Sequence, residues 1–225
     1  MADANTYWDK FYEENVFKNG KAPNSFLNQM LPRLQKGLTL DVAMGEGENS
    51  VYLAQKGFEV EGFDISDIAV TRAIGLAKDT GVEIAAKKAD ADMYLMNVME
   101  YDTIIMLGYK PQTDRFFPEM IKALKQGGSI LIEAFHTNEM DEALSKNQYY
   151  KNNYFKSNEL LDHLRDLKIL FYQEGDIDGK HKVQILAQKH VDRDAAKYDL
   201  FGMHTKAAEK KSSKQLDLAE ALFKK

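Results

Sequence analysis

Two glycines and several carboxylates stand close together near residue 45, in a pattern typical of a nucleotide-binding turn. The apolar run at residues 38–43 predicts a buried strand, and Gly45 and Gly47 break it before a helical stretch at residues 50–56. Glycine lets the backbone turn tightly and lets a ligand approach it closely. A strand, a glycine turn and a helix N-terminus in this order form the geometry that holds a nucleotide.

The charge of this loop separates the candidate ligands. A dinucleotide fingerprint requires a third glycine at position 50, which is Ser50, and Glu46 would set a carboxylate against a pyrophosphate. S-adenosylmethionine carries an ammonium and a sulfonium but no phosphate, so Asp41 and Glu46 are compatible with it. The loop therefore favours S-adenosylmethionine, and a glycine turn without any ligand is the alternative.

Acidic residues also follow the next two predicted strands. Asp64 ends a strand predicted at residues 58–64, about twenty residues beyond the glycines, where a carboxylate can accept hydrogen bonds from both ribose hydroxyls. Asp90 and Asp92 follow a strand predicted at residues 83–89, where an acid can accept from an adenine amino group. We favour Asp90 because it directly follows the strand. Helix capping is the alternative role for each of these acids.

Strand and helix patterns alternate along the chain. Five strand-then-helix units followed by a hairpin predict an α/β fold with a doubly wound, mostly parallel, seven-stranded sheet, in which the hairpin makes one strand antiparallel. The other predicted elements are a helix at 66–81, a strand at 101–107, a helix at 114–126, a strand at 129–135, a helix with a capping-box start at 157–167, and hairpin strands at 169–173 and 183–187.

These motifs, in this order and at these spacings, resemble the class I S-adenosylmethionine-dependent methyltransferases over roughly residues 5–190. Within that superfamily the chain resembles the tellurite-resistance-type small methyltransferases. The narrower likeness rests on residues 43–49 with the following 51–54, on residues 20–27, on Tyr7, Trp8 and Asp9, and on residues 158–161 leading into 169–174.

The chain departs from that group at three places. Ala43 stands where the superfamily commonly has glycine, Glu48 where the group usually has arginine, and residues 108–115 differ in length and content. The resemblance therefore implies the Rossmann-like methyltransferase fold and the cofactor S-adenosylmethionine more strongly than it implies the substrate. The residues assigned to cofactor binding are Asp41, Ala43, Gly45, Gly47, Asn49, Asp64, Ile65, Asp90, Ala91 and Leu107.

Candidate catalytic residues follow the fourth and fifth strands. Tyr109, beside Lys110, follows the fourth strand and His136 follows the fifth. A histidine there can act as a base, and a histidine satisfied by backbone at a strand end is the alternative. The alternative role for Tyr109 is to line the pocket without taking part in catalysis. The resemblance also implies an aromatic helix over the cofactor, with ordinary packing as the alternative; its members are Tyr7, Trp8, Phe11 and Tyr12.

The composition excludes several classes of function. The chain has 225 residues, of which 44% are apolar and 29% charged, as expected for one folded soluble domain. A net charge of −5 argues against nucleic-acid and membrane partners, and the absence of cysteine excludes a thiolate nucleophile and cysteine-based zinc sites. We expect no metal, because no His/Asp/Glu cluster has ligand spacing. The N-terminus lacks a signal-peptide pattern and no apolar run could span a membrane, which predicts a cytoplasmic protein.

We expect a methyltransferase domain at residues 1–190 and a charged tail at 191–225. The tail ends in helix-spaced apolar residues and is either solvated or a docking helix for a partner or second subunit. The aromatic-rich segment 137–156 is expected to be a lid or substrate loop. The preferred function is methyl transfer to a small-molecule acceptor, a soft or anionic nucleophile. The alternatives are an S-adenosylmethionine-binding protein without transfer activity and a nicotinamide-dependent oxidoreductase. The sequence leaves the oligomeric state open.

Overall fold

A computed structural model describes residues 4–18, 20–137 and 153–191 of the chain. Its strands are β1 (Leu38–Val42), β2 (Glu59–Asp64), β3 (Ala85–Lys88), β4 (Tyr101–Leu107), β5 (Leu124–Phe135), β6 (Lys168–Ile177) and β7 (Lys180–Gln188). Its α-helices are α1 (Ala4–Glu14), α2 (Ser25–Met30), α3 (Glu48–Gln55), α4 (Asp67–Thr80), α5 (Phe116–Ala123) and α6 (Glu159–His163), with single 3-10 turns at Leu31–Arg33 and Ala91–Met93.

The seven strands form one sheet in the order β3-β2-β1-β4-β5-β7-β6. The first five strands run parallel, and β7 lies antiparallel to both β5 and β6. The predicted doubly wound sheet with a closing antiparallel hairpin is therefore confirmed. The strand order changes direction between β1 and β4, and ligands of such sheets bind at the carboxyl ends of the strands around that point.

Apolar side chains cover both faces of the sheet, because successive residues of a strand point to opposite faces. One face carries Leu40, Ile104, Met106, Ile130 and Ile132, which pack with Phe117 and Met120 of α5 and Leu160 of α6. The opposite face carries Ile105, Leu131 and Leu186, which pack with Phe26 and Leu27 of α2. Helices thus hold both faces, while the carboxyl edge of the sheet stays available for a site.

The structure corrects the predicted boundary between α5 and β5. We expected a helix up to residue 126 and a strand from 129, whereas α5 ends at Ala123 and β5 begins at Leu124. Gly127 has φ +76, and the β4–β5 register shifts between Tyr101 and Thr103. The glycine that we expected to end the helix instead lies within an irregular start of the strand.

Two further boundaries differ from the sequence prediction. The hairpin strands are longer than expected and leave a two-residue turn at Asp178 and Gly179, both with positive φ, which suits a tight hairpin. The helix expected at 157–167 covers only Glu159–His163, and it begins after the left-handed Asn158 without a side-chain cap. Ser157 was expected to cap this helix, but its hydroxyl lies 3.1 Å from the Nε2 of His136 instead. The tail at 191–225 falls outside the described residues after Val191, so the domain boundary stays a prediction.

Candidate functional site

The glycine loop joins β1 to α3 through a run of left-handed residues. Ala43, Gly45 and Gly47 have φ of +54, +58 and +84. A Cβ at Gly45 would lie 3.1 Å from the Tyr12 hydroxyl, whereas one at Gly47 would lie 2.6 Å from the Cβ of Ala73 in α4. Because Gly45 has no Cβ, the Tyr12 hydroxyl can lie close to the loop backbone there. Gly47 is required for the contact between α3 and α4, a packing role that the sequence did not reveal.

Asp64 connects this loop to the loop that follows β2. Its carboxylate accepts hydrogen bonds from the backbone N–H of Gly45 at 3.0 Å and of Ser66 at 2.9 Å, and the residue is 5% exposed. Burial raises the pKa of Asp64 to about 6, although these hydrogen bonds oppose the rise. The predicted ribose carboxylate thus lies directly beside the glycine loop.

Asp41 lies beneath the loop with a different set of contacts. The Ser50 hydroxyl donates to its Oδ2 at 2.6 Å, and burial raises the pKa of Asp41 to about 8 despite that bond. Ser50 is the residue that stands where a dinucleotide fingerprint has glycine. The Ser50 side chain is needed for the hydrogen bond to Asp41, which argues against a dinucleotide as the ligand of this loop.

Two more carboxylates complete the acidic surroundings of the loop. Glu46 pairs with Arg72 at 2.7 Å and accepts from the backbone N–H of Phe17 at 2.9 Å, so it is engaged within the protein. Burial, with the charges of Glu46 and Asp64, raises the pKa of Glu48 to about 7. Burial is the largest cause of the raised pKa values at Asp41, Glu48 and Asp64, and neighbouring carboxylates add to each of them. A further negative charge is therefore unfavourable here, and a positively charged ligand would stabilise the ionised carboxylates.

Helix α1 lies over the glycine loop and is bonded to α4 and its cap. The Ser66 hydroxyl donates to Asp9 at 2.6 Å, and Arg72 donates to the backbone carbonyl of Tyr12 at 2.7 Å. Burial, followed by the charges of Asp64, Glu48 and Glu46, raises the pKa of Tyr12. The aromatic N-terminal segment is thus a helix, as predicted, and it brings the Tyr12 hydroxyl to the loop.

A cleft of about 440 Å³ opens beyond the carboxyl ends of β2 and β3. Its lining includes Asn5, Ile65, Lys88, Ala89 and Asp90. Asp90 accepts from the backbone N–H of Asp92 at 2.9 Å, and the Asp92 carboxylate accepts from the Thr113 hydroxyl at 3.2 Å. Of the two acids that the sequence left open, Asp90 is therefore the one at the cleft. The adjoining Ala91 is buried.

Asn49 and Leu107 adjoin a buried polar cluster that sequence reasoning missed. Asn49 accepts from the backbone N–H of Asn24 at 2.8 Å, and the Asn24 amide donates to Glu133 at 2.7 Å. Glu133 is 5% exposed, pairs in register with Leu107, and also accepts from Lys182 at 3.2 Å and Gln184 at 2.5 Å. Of the residues in this cluster beyond Asn49 and Leu107, only Asn24 was singled out by the sequence, as part of the stretch 20–27 that carries the family resemblance.

His136 lies after β5 with its side chain engaged. The residue is 4% exposed, its Nε2 lies 3.1 Å from the Ser157 hydroxyl, and its backbone N–H donates to the carbonyl of His181 at 2.9 Å. Although burial opposes it, hydrogen bonds from Tyr172, the Asn158 backbone and Ser157 hold the pKa of Glu174 below its usual value. His136, Ser157 and Glu174 are thus linked through the serine hydroxyl.

Tyr109 and Lys110 occupy different surroundings at the end of β4. The Lys110 ammonium donates to Glu159 at 2.6 Å and to the Tyr154 carbonyl at 3.1 Å, and lies 4.7 Å from the centre of the Phe155 ring. Burial, with the charges of Asp92, Asp90 and Asp64, raises the pKa of Tyr109, so its phenol stays neutral near pH 7. Most of the expected lid, residues 138–152, lies outside the described residues.

Two further features of the described residues bear on metal binding and on crossing a membrane. Among the residues that the structure describes, no three His, Asp or Glu side chains are grouped to hold a metal ion. No helix in the described ranges is long and apolar enough to cross a membrane.

Sequence comparison identifies a methyltransferase domain in this chain. Residues 39–128 match the family described as a methyltransferase domain. An uncharacterised protein of Mycobacterium tuberculosis is 28% identical over 94 residues, which cover 40% of this chain and 34% of that protein. The chain thus spans about a third of the length of the curated relatives it matches.

Solved structures share the fold at low identity. TehB from Haemophilus influenzae has a TM-score of 0.64 at 18% identity, covering 80% of this chain and 66% of its own. A geranyl diphosphate C-methyltransferase from Streptomyces coelicolor, solved with geranyl diphosphate and S-adenosyl-L-homocysteine, has a TM-score of 0.62 at 13% identity, covering 84% and 86%. The (4+2)-cyclase SpnF has a TM-score of 0.65 at 14% identity, covering 85% and 98%.

The matched domain contains the glycine loop and the acids that follow β2 and β3, and the sheet order extends the likeness beyond it. Residues 39–128 are therefore similar to a methyltransferase domain, and the described sheet shares the fold of solved S-adenosylmethionine-dependent methyltransferases.

Proposed function

We propose that the protein binds S-adenosylmethionine at the carboxyl ends of β1, β2 and β3, and transfers its methyl group to a small-molecule acceptor near the ends of β4 and β5. One observation carries the proposal. Three carboxyls with raised pKa values, at Asp41, Glu48 and Asp64, surround a loop whose backbone carries no side chain at Gly45, next to the Tyr12 hydroxyl. That surrounding suits a ligand with positive charge and no phosphate.

Each part of the cofactor has a matching group. Each Asp64 oxygen that accepts one backbone N–H keeps a second acceptor direction for a ribose hydroxyl. Ile65 and Ala91 supply apolar contact to the adenine ring, and Asp90 accepts from its amino group. Ala43 and Gly45 offer backbone to the aminoacyl part. Asp41 acts indirectly, because Ser50 already occupies its carboxylate.

The methyl acceptor is proposed to be held at the other half of the edge. Bound S-adenosylmethionine supplies an electrophilic methyl, and the chain's task is to align the acceptor with the methyl–sulfur bond and exclude water. Tyr109 is positioned to donate a hydrogen bond as a neutral phenol. Glu159 neutralises the Lys110 ammonium, so Lys110 is not available to attract an anionic acceptor. The pairing of Lys110 therefore supports an acceptor that is held by contacts other than an ion pair with Lys110.

His136 is proposed to act as a positioning residue. Its Nε2 is engaged with Ser157, and its burial leaves it poorly placed to receive a proton from an acceptor. A soft nucleophile, such as a thiolate or a selenium or tellurium oxyanion, needs no general base. A small acceptor also agrees with the structural neighbour solved with geranyl diphosphate, itself a small molecule.

Binding without transfer is the second candidate function. Two observations favour it: His136 and Lys110 both make structural contacts, and a neighbour of the same fold is named a cyclase. A nicotinamide-dependent oxidoreductase remains the third, and is disfavoured by the contact between Ser50 and Asp41 and by the acidic loop.

A transfer assay separates these functions. The protein is incubated with methyl-labelled S-adenosylmethionine and a panel of thiols and selenium and tellurium oxyanions, with Asp64→Ala as the binding-deficient control. Label in a soft small acceptor, absent from the control, is the expected result. Stabilisation by S-adenosylhomocysteine without any labelled acceptor would favour binding alone. Ligand at about 100 times its Kd raises the unfolding free energy by roughly 2.7 kcal/mol, so NAD as the only stabilising ligand would contradict the proposal.

A further inference from the structure

Asn5 presents a buried hydrogen-bond acceptor that has no partner. Its Oδ1 is one of three buried side-chain atoms in the described ranges that lack a hydrogen bond; the others are Ser129 Oγ and His163 Nε2. Of the three residues, Asn5 is the one that lines the cleft beyond β2 and β3. Buried polar groups are nearly always paired, so an unpaired acceptor at a cleft points to a donor that is supplied by a ligand.

The lining of the cleft offers a second acceptor. Asp90 also lines it, and one of its oxygens accepts from the backbone N–H of Asp92 at 2.9 Å, which leaves the other oxygen available. Two acceptors that face one cleft suit a group with two N–H donors. An exocyclic amino group on an aromatic ring is such a group, and Ile65 and Ala89 provide apolar lining for the ring.

We propose that Asn5 is a specificity-determining residue that accepts a hydrogen bond from the amino group of adenine, alongside Asp90. The inference rests on the proposed binding of S-adenosylmethionine. A purine with a carbonyl oxygen in place of the amino group brings an acceptor instead of a donor to the Asn5 oxygen and leaves that buried oxygen unpaired. Asn5 therefore discriminates against 6-oxopurine analogues, as a buried polar group that loses its partner generally does.

The attachments of α1 explain how Asn5 reaches the cleft. Asp9 accepts from Ser66 and the Tyr12 carbonyl accepts from Arg72, so that α1 is fixed against the first half of α4. These bonds hold the first turn of the helix, with Asn5, beside the ends of β2 and β3. The terminal torsion of an asparagine is broad, which lets the amide oxygen turn toward a donor that enters.

The test compares S-adenosylhomocysteine with S-inosylhomocysteine, its 6-oxo analogue, by calorimetric titration. For Asn5→Ala we expect S-adenosylhomocysteine to bind about three- to tenfold more weakly, the loss of one neutral hydrogen bond, and the affinity for S-inosylhomocysteine to stay unchanged. The melting temperature of the ligand-free variant should not fall, because the substitution removes an unpaired buried acceptor. Asn5→Asp, which keeps an acceptor, should retain the preference for adenine.

Lys10→Ala is the matched control, since Lys10 lies on the same helix with a side chain that is 73% exposed. An equal loss for both analogues in Asn5→Ala, or a lowered melting temperature, would reduce Asn5 to a packing residue and overturn the inference. Unchanged affinity for S-adenosylhomocysteine would overturn it as well, while leaving the proposed function intact. If the wild-type protein bound neither analogue, the proposed function would fail, and the role of Asn5 with it.

Discussion

The carboxyl edge of the sheet has two halves that are built in different ways. In the cofactor half, formed by the ends of β1, β2 and β3, the defining bonds join residues close in sequence: Asp41 and Ser50 are 9 apart, and Gly45 and Asp64 are 19 apart. In the acceptor half, formed by the ends of β4 and β5 with residues 153–159 and the hairpin, Lys110 and Glu159 are 49 apart. The loops of the first half are joined by local bonds, and α1 is attached to them at longer range, with Asp9 and Ser66 57 apart. The second half is assembled at long range.

The two halves also differ in how their charges are balanced. The acceptor half pairs its ions, with Lys110 on Glu159 and Lys182 on Glu133. The cofactor half holds carboxyls whose pKa values burial has raised, at positions 41, 48 and 64. Both of these lysines are neutralised by glutamates of the described chain, whereas the cofactor half gains from a positive ligand. Substitutions in the cofactor half should therefore change binding, and substitutions in the acceptor half should change turnover.

Gly45→Val should have the largest effect. A valine there combines a φ of +58 with a Cβ 3.1 Å from the Tyr12 hydroxyl, and it adds a side chain to the backbone that the cofactor is proposed to approach. Backbone strain of about 1–3 kcal/mol together with the lost approach should weaken S-adenosylhomocysteine binding by more than about a hundredfold, measured by calorimetry. Gly81→Val is the control, because it has φ +73 at the end of α4 with no atom near its Cβ position. Tight binding by folded Gly45→Val would show that the loop does not contact the cofactor.

Asp64→Ala tests the carboxylate that joins the two cofactor loops. Loss of hydrogen bonds to a charged group should weaken S-adenosylhomocysteine binding by about 1.5–3 kcal/mol. Asp67→Ala is the matched control, because Asp67 opens the next helix and forms an ion pair with Lys88 that is largely exposed. If Asp64→Ala folds and binds as well as the wild type, Asp64 has no part in the site.

His136→Ala tests the acceptor half. With His136 engaged to Ser157, turnover should fall by less than the 10²–10⁴-fold that follows loss of a general base, and the affinity for S-adenosylhomocysteine should not change. Turnover is measured against pH for wild type, His136→Ala and Ser157→Ala. A thousandfold loss in His136→Ala, together with loss of the pH dependence seen in the wild type, would make His136 a base and shift the acceptor toward oxygen or nitrogen.

The smallest expected effect is a dependence of binding on pH. Burial raises the pKa of Glu48 to about 7 and that of Asp64 to about 6, so the folded state binds more protons than the unfolded state above pH 4. The ligand-free protein should therefore lose stability as pH rises from 5 to 8, while its affinity for the cationic cofactor rises a few-fold. Thermal unfolding with and without S-adenosylmethionine measures both trends. Glu48→Gln should flatten the change in affinity, and an affinity that falls with pH would contradict the electrostatic argument.

The sequence predicted the fold and the cofactor half because both rest on local patterns. Strand β1, the turn at Gly45 and the acid Asp64 each follow from a short run of residues. Asp90 and Asp92 were indistinguishable until the structure set Asp90 at the cleft and bonded Asp92 to Thr113. Glycines predicted element boundaries less well. Gly127 was expected to end α5, but it lies within β5.

The acceptor half escaped prediction because its contacts join distant residues. Asn24 and Glu133 are 109 residues apart, and nothing near either one signals that their side chains meet. Lys110 was a candidate for contact with the acceptor, yet its ammonium bonds to Glu159 and holds residues 154 and 155. Ser157, expected to cap a helix, lies against His136 instead. Each of these roles depends on tertiary pairing, which a single sequence does not encode in any short pattern.

Calorimetric titration of the full chain with S-adenosylhomocysteine and, separately, with NAD tests the central claim most directly. The claim is that the cofactor half binds an adenosyl amino acid that carries positive charge and no phosphate. We predict that one S-adenosylhomocysteine binds per chain, that Asp64→Ala weakens this binding, and that NAD gives no heat of binding. Binding of NAD at the same stoichiometry, or no heat from S-adenosylhomocysteine with folded wild-type protein, would contradict the account.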